Sequence, residues 1–221
     1  MKKKLSYLAA LFVIGMIFLS TISFQSCKRE ETPGYCDTCI IAFKPNIYLY
    51  PEQKTELTIQ LSFPLGGNLL TSIPAYGNGW NIMVDTSGVI NNLYKYLFYE
   101  SKQPNIWQHY EGWIVHGADL KSFFTENMAK YGFNKDEIAD FTDYWVPRLT
   151  QFGYYIIYPQ STAVVNTVIA LKVSKQPDSI LRLFYLIKGY NEDPAITLPE
   201  PAIATFPRKG FVLTEWGVLL K

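Results

Sequence analysis

Two glutamates, Glu100 and Glu215, have the residue type and setting for acid–base chemistry on a glycan. Each lies near the end of a predicted strand, and each is flanked by aromatic residues. A glycosidase needs carboxyl groups about 5–5.5 Å apart to retain the anomeric configuration, or about 6.5–9.5 Å apart to invert it. Ion pairs with Arg182 or Arg208 are the alternative role for the same carboxylates. We therefore treat the two glutamates as candidate catalytic residues of a glycan hydrolase.

A second group of candidate residues is aromatic and suits carbohydrate binding. Phe, Tyr and Trp make up 16% of the 221 residues, and flat rings can stack on sugars beside polar groups that read hydroxyls. Aromatic residues are also ordinary core material in β-sheets, so core packing is the alternative. Five rings stand at predicted loop edges: Tyr76, Trp80, Trp107, Tyr110 and Trp113.

The cysteines, histidines and clustered acids predict no metal site and no cofactor. Cys36 and Cys39 are spaced C-x-x-C, which in an exported protein predicts a disulfide that closes a small loop. A zinc site would need a second pair of ligands, and His109 and His116 lack H-E-x-x-H spacing. The spacing of three acidic residues is typical of the solvent-exposed face of a helix rather than of a calcium site. They are Asp136, Asp140 and Asp143.

Composition and charge argue against several classes of protein. Beyond the first 26 residues, the chain carries 17 basic and 19 acidic side chains, so nothing indicates a general nucleic-acid binder. Neither G-x-S-x-G, nor a P-loop, nor G-x-G-x-x-G occurs in the sequence. The content of 48% hydrophobic residues predicts a folded domain rather than a disordered chain.

The first half of the chain predicts the β-strands that must position these candidates. Glu56–Phe63 alternates polar and apolar residues at all eight positions, the pattern of a half-buried strand. Asn46–Tyr50 is aromatic and β-branched, and Pro51 stops it. In Trp80–Val84, three apolar residues at alternate positions share one face of a strand, and Tyr94–Glu100 is its predicted hairpin partner.

The middle of the chain changes to helical periodicity. Asp119 is placed to cap a first helix that ends near Gly132. Asn134 starts a second helix, where Glu137 completes a capping box, and Pro147 ends it. The two helices form a predicted helical hairpin.

The last third returns to strands, and the prolines between its final two strands indicate an extended crossing segment. The strands are predicted at Tyr154–Tyr158, Val164–Val173, Leu181–Lys188 and Phe211–Trp216. The whole order predicts an α+β fold, an antiparallel β-sheet or sandwich with an inserted two-helix hairpin at about residues 119–147.

Residues 1–26 predict a lipoprotein signal peptide. Lys2–Lys4 precede a run of twelve apolar or small residues, Leu8–Leu19, which is the layout of a secretory signal. A small residue before Cys27 resembles the cleavage box of bacterial lipoproteins, whose cysteine becomes the lipidated N-terminus. The alternative is a retained membrane helix over Leu5–Phe24, which is long enough to span a bilayer. Lipid at Cys27 would hold the protein on a membrane.

Residues 27–43 then predict a tether that includes the C-x-x-C pair, and residues 44–221 predict one domain. The charged segment Lys28–Glu31 resembles the surface-export signal of Bacteroidetes-type lipoproteins. We therefore expect an exported, lipid-anchored protein at the outer membrane or cell surface rather than on a periplasm-facing inner membrane.

Seven segments carry a resemblance that runs in order from about residue 44 to residue 217. They are Lys44–Glu52, Pro74–Trp80, Tyr96–Glu100, Asp143–Pro147, Pro177–Arg182, Arg208–Phe211 and Glu215–Gly217. Together they resemble a family of uncharacterised exported bacterial proteins that opens on K-P-x-I-Y-L-Y-P-E. Tyr99 replaces the usual Trp, and Val218 replaces a second Gly. The resemblance implies one exported domain and assigns no catalytic residue.

These observations favour a membrane-anchored envelope lipoprotein with a noncatalytic binding module, for which glycan is the candidate ligand. One alternative is an envelope hydrolase that acts on glycan through Glu100 and Glu215. The other is a structural or assembly lipoprotein that contacts another envelope protein.

Overall fold

The structure is a computed structural model that describes residues 38–221. Its strands are β1 (Cys39–Tyr50), β2 (Thr55–Ser62), β3 (Asn68–Ile73), β4 (Trp80–Val84), β5 (Leu97–Pro104), β6 (Trp113–His116), β7 (Tyr154–Gln160), β8 (Ala170–Val173), β9 (Ser179–Tyr190) and β10 (Val212–Leu220). Its α-helices are α1 (Leu120–Tyr131), α2 (Lys135–Trp145) and α3 (Thr162–Val168).

The strands form two sheets, and the predicted α+β class is confirmed. The large sheet has the order β3-β5-β1-β10-β9-β7-β6, and the small sheet has the order β4-β2-β8. All neighbours are antiparallel except β9 and β10, which run parallel. A parallel pair needs a crossover connection, and residues 191–211 supply it almost entirely without helix or strand.

The large sheet is covered on both faces. On one face, Leu213 of β10 packs in a core shared with Leu57 of the small sheet. On the other face, Trp216 of β10 packs in a core shared with Phe141 of α2. Because alternate side chains of a strand point to opposite faces, β10 is buried at every position from Val212 to Leu219.

The helical hairpin forms as predicted, although the first cap differs. Gly132 ends α1 in the left-handed region at φ 101°, and Asn134 and Glu137 form the capping box of α2. The Asp119 side chain makes no cap hydrogen bond. A turn of 3-10 helix at Gly117–Asp119 precedes α1 instead. The Nδ1 atom of His116 accepts a hydrogen bond from the N–H group of Ala118 in that turn.

The strand predicted at Val164–Val173 is wrong in its first half, which is helix α3. Val165 and Val168 are fully buried, and their spacing of three residues places both on one face of a helix. Burial of that face against the sheets outweighs the β-propensity of the valines. The second half of the segment is β8, as the alternating pattern indicates.

The predicted hairpin between Trp80–Val84 and Tyr94–Glu100 is also wrong. Strand β4 pairs with β2 in the small sheet, whereas β5 pairs with β1 and β3 in the large sheet. After β4, the Asp85 carboxylate accepts from the N–H groups of Ser87 and Val89 and closes a tight loop. The chain then passes from the small sheet to the large sheet, where β5 begins.

The described residues belong to one compact unit. Within them, no helix combines the length and the apolar character that crossing a membrane requires. The predicted signal peptide, Cys27 and Cys36 lie outside the described residues.

Replacement of Phe124 by Ala is expected to destabilise the domain. The ring is fully buried and contacts Phe141 and Tyr185, so Phe124→Ala should lower the free energy of unfolding by about 3–5 kcal/mol. Glu126→Ala, on the exposed side of the same helix, should change it by less than about 0.5 kcal/mol. Urea unfolding of the purified full-length chain measures both. Equal effects of the two substitutions would contradict the packing described here.

Candidate functional site

The aromatic residues proposed for sugar stacking do not come together in one groove. Trp80 is 2% exposed, and its indole N–H donates to the carbonyl of Pro74 at 2.8 Å. Tyr76 packs edge-on against Trp80, with ring centroids 4.8 Å apart, and its hydroxyl oxygen accepts from the N–H of Leu61. Trp80 therefore belongs to the core between the sheets, and the half-buried Tyr76 packs against that core.

The other three rings lie apart from that pair. Trp107 is 4% exposed and stacks on Phe184. Trp113 packs on Phe123 of α1, on the helix-covered face of the large sheet. Tyr110 is 68% exposed in the loop before β6. Burial therefore removes Trp80 and Trp107 as stacking platforms, and Tyr110 keeps an accessible ring.

Glu100 and Glu215 lie on opposite faces of the large sheet. The Tyr99 hydroxyl donates to Glu215 at 2.7 Å, so these two side chains share the face toward the small sheet. Glu100 follows Tyr99 in the regular strand β5 and points the other way. The structure does not bring the two carboxylates together across one substrate.

Glu215 forms a buried ion pair with Arg182. The Arg182 Nε donates to one carboxylate oxygen and the Tyr99 hydroxyl donates to the other. All three side chains are buried, at 1% exposure or less. Burial, followed by the charge of Glu215, raises the pKa of Tyr99 well above its usual value and keeps its hydroxyl protonated as a donor.

Arg182 also ties α3 to the large sheet. Its Nη1 donates to the Asn166 side-chain oxygen and to the Ile169 carbonyl, each at 2.6 Å. Burial alone would lower the pKa of Arg182, but Glu215 raises it above its usual value and keeps the guanidinium charged. The cluster thus joins β5, β9 and β10 to α3 by hydrogen bonds among buried side chains.

A different set of residues lines an open cleft of about 400 Å³ on the helix-covered face of the large sheet. It lies between α2 and the end of the sheet that carries β3 and β5. The lining residues are Lys44, Ile73, Leu93, Tyr94, Lys95, Tyr96, Phe98, Asp140 and Tyr144.

Lys44 lies among the aromatic walls of this cleft. Its Nζ is 4.7 Å from the ring centroid of Tyr144, 5.1 Å from that of Tyr96 and 5.2 Å from that of Phe98. These distances are those of cation–π contacts. Arg148 lies over the Tyr144 ring as well, at 3.7 Å, and its Nη1 donates to the Tyr144 carbonyl. Tyr144 is thereby held by two cations.

Asp140 is the acidic group of the cleft, and it already has two partners. Lys95 donates to it at 2.9 Å, and the Tyr48 hydroxyl donates to it at 3.0 Å. The hydrogen bond to Asp140 raises the pKa of Lys95. Burial, followed by the charge of Asp140, raises the pKa of Tyr48, so its hydroxyl remains a donor. The Asp140 carboxylate therefore lies in an ion pair.

No group of three or more His, Cys, Asp or Glu side chains that could hold a metal ion occurs in residues 38–221.

The cleft residues were not among the sequence candidates, yet a signal for them exists. Lys44, Tyr96, Phe98 and Tyr144 belong to three of the segments on which the family resemblance was based. The fold brings these three segments to one place. Single positions gave no sign of this, because a lysine beside proline or a helical tyrosine is unremarkable by itself.

Of the cysteines, Cys39 opens β1 and is disulfide-bonded. The pairing with Cys36 stays a prediction, because Cys36 lies outside the described part of the chain.

Comparison of the chain with protein-family models found no match. Comparisons with curated proteins and with solved structures likewise found none. The resemblance to an exported family therefore stays an expectation from the sequence.

Breaking the buried ion pair is expected to destabilise the fold. Glu215→Gln leaves the Arg182 guanidinium buried without a counter-ion, so it should lower the free energy of unfolding by about 3–5 kcal/mol. Lys95→Met breaks the exposed ion pair with Asp140 and should lower it by no more than about 1 kcal/mol. Denaturant unfolding separates the two effects.

The double variant Arg182→Met/Glu215→Leu removes both charges and should be more stable than Glu215→Gln. Wild-type stability in Glu215→Gln, or no recovery in the double variant, would argue against this account.

Proposed function

We propose that the chain is an envelope lipoprotein, anchored through lipid on Cys27, whose domain is a noncatalytic module that binds glycan in the cleft around Lys44. The observation that carries the binding proposal is the set of aromatic walls around an open volume of about 400 Å³. That volume lies within the range of about 300–1,000 Å³ typical of small-ligand sites.

The chemistry of the walls suits a sugar. Tyr94, Tyr96 and Tyr144 are half-buried, so each has a ring partly open to solvent and a hydroxyl that can donate and accept. Aromatic faces cover the apolar side of a sugar ring, while hydroxyls and charged groups at the rim read its polar edge. This combination replaces the aromatic set proposed from the sequence.

The small number of carboxyl groups in the cleft favours binding over hydrolysis. Among the described residues that line the cleft, Asp140 alone carries a carboxyl group, and it is paired with Lys95. Glycoside hydrolysis by the common routes uses two carboxyl groups. Glu100 and Glu215 do not supply such a pair.

A protein partner is the second candidate, and the rim of the same cleft favours it. Leu93 is 72% exposed and Ile73 is 54% exposed, and both line the cleft. Exposed apolar side chains in a contiguous patch are typical of protein interaction sites.

Removal of one aromatic wall is expected to weaken glycan binding. Full-length protein in mild detergent is mixed with peptidoglycan and a panel of insoluble polysaccharides, and pellet and supernatant are analysed after centrifugation. Tyr144→Ala should weaken binding by about tenfold or more, because the ring that forms one wall of the cleft is lost. Tyr110→Ala removes an exposed ring outside the cleft and should bind like the wild type.

The outcomes distinguish the candidate functions. Pelleting of Tyr144→Ala at the wild-type level would exclude the cleft as the site, provided that its unfolding curve is normal. New soluble fragments in the supernatant would indicate a hydrolase. Failure to pellet, together with a stable protein that co-purifies from gently solubilised membranes, would favour the partner function.

Loss of the anchoring cysteine is expected to release the protein from the membrane. Cells grown with a labelled fatty acid should label the wild type and Cys36→Ala, but not Cys27→Ala, because a thiol at position 27 is required for lipid attachment. The unlabelled variant should leave the membrane fraction. If the wild type itself takes up no label and still stays in the membrane, the alternative of a retained membrane helix over Leu5–Phe24 is correct.

A further inference from the structure

We propose that the cleft selects glycans that carry a carboxylate, and that the ammonium group of Lys44 is the group that recognises it. This inference rests on the proposed function of the cleft as a glycan site, and it adds the chemical class of the ligand.

The backbone at Lys44 is held in an unusual conformation by both neighbouring strands. Ala42 and Asn46 are paired with β10 and with β5, and between them β1 contains one more residue than either neighbour. Lys44 lies in this bulge with a φ of 50°, directly before Pro45. A left-handed conformation costs a residue with a β-carbon about 1–2 kcal/mol.

The bulge has a consequence for the lysine side chain. Bulges re-aim side chains, and strained conformations that persist in a well-ordered structure are frequent at functional sites. Here the side chain is directed among the rings of Tyr96, Phe98 and Tyr144. Strand β1 thus supplies a fixed base for a cation in the cleft.

The charge of Lys44 is not neutralised by a carboxylate of the described chain. None of the ion pairs found in residues 38–221 includes Lys44. Its nearest polar contact is the Tyr96 hydroxyl at 3.5 Å, which is a long hydrogen bond. Cation–π contacts do not neutralise the charge of the ammonium, so it can still pair with an anion.

Among the residues that line the cleft, the charges other than that of Lys44 cancel, and this favours a ligand with one negative charge. Lys95 is paired with Asp140, whose second oxygen also accepts from the Tyr48 hydroxyl. The lining residues therefore leave one unit of positive charge, on Lys44. A neutral sugar would cover this cation without pairing it, whereas one carboxylate would match it with a charge-assisted hydrogen bond. A single charge suits a carboxylate better than a doubly charged phosphate.

The test compares glycans that differ in charge alone. The full-length chain in mild detergent is titrated with polygalacturonate, hyaluronan and alginate, and with the methyl ester of each polymer. At least one acid form should bind about tenfold or more tightly than its ester. Lys44→Met should remove this preference, so that acid and ester forms bind equally. Lys44→Arg should keep the preference, and so should Lys54→Met, which removes an exposed lysine elsewhere.

A measurement on the wild type keeps the test valid if Lys44→Met unfolds. High salt screens the ion pair, so it should erase the preference for acid over ester and leave ester binding in place. Equal binding of acid and ester by the wild type would overturn the inference and leave the glycan function standing. Binding of no polymer in either form, and of no member of the insoluble panel, would overturn the glycan function and the inference with it.

Discussion

Burial of the central strands on both faces is the constraint on which the rest of this structure depends. Strands β1, β10 and β9 lie between the small sheet and the helical hairpin, so they have no row of side chains that faces water. A charged group in such a layer must find its partner inside the protein. Glu215 does so with Arg182 on one face, and Glu137 does so with Arg208 on the other.

The second of these ion pairs ties three elements together. Arg208 belongs to the crossing segment and contacts both oxygens of Glu137 at 3.0 Å. One of those oxygens also accepts from the Thr214 hydroxyl in β10, and the other accepts from the N–H of Asn134 in the capping box. A residue that the sequence marks as a cap is therefore also the buried anchor of the hairpin and of the crossing segment.

The cleft forms where this two-sided burial ends. Strand β1 bulges at Lys44, and residues of β3, β5 and α2 line the open cleft beside it. The aromatic rings that would fill a core elsewhere are half-buried here, and a lysine lies among them rather than a carboxylate. The extra residue of β1 thus lies where the packed core gives way to an open cleft.

The sequence by itself determined the local features whose cause lies within a few residues. The alternation in β2, the left-handed Gly132 and the capping box of Asn134 and Glu137 are examples, since each depends on periodicity or on a short-range hydrogen bond. Only the tertiary structure decided that Val164–Val168 is helical, that Trp80 and Trp107 are buried, and that Glu215 pairs with Arg182. Those outcomes depend on which distant strands become neighbours. The cleft around Lys44 has the same origin, because its walls come from segments up to a hundred residues apart in the chain.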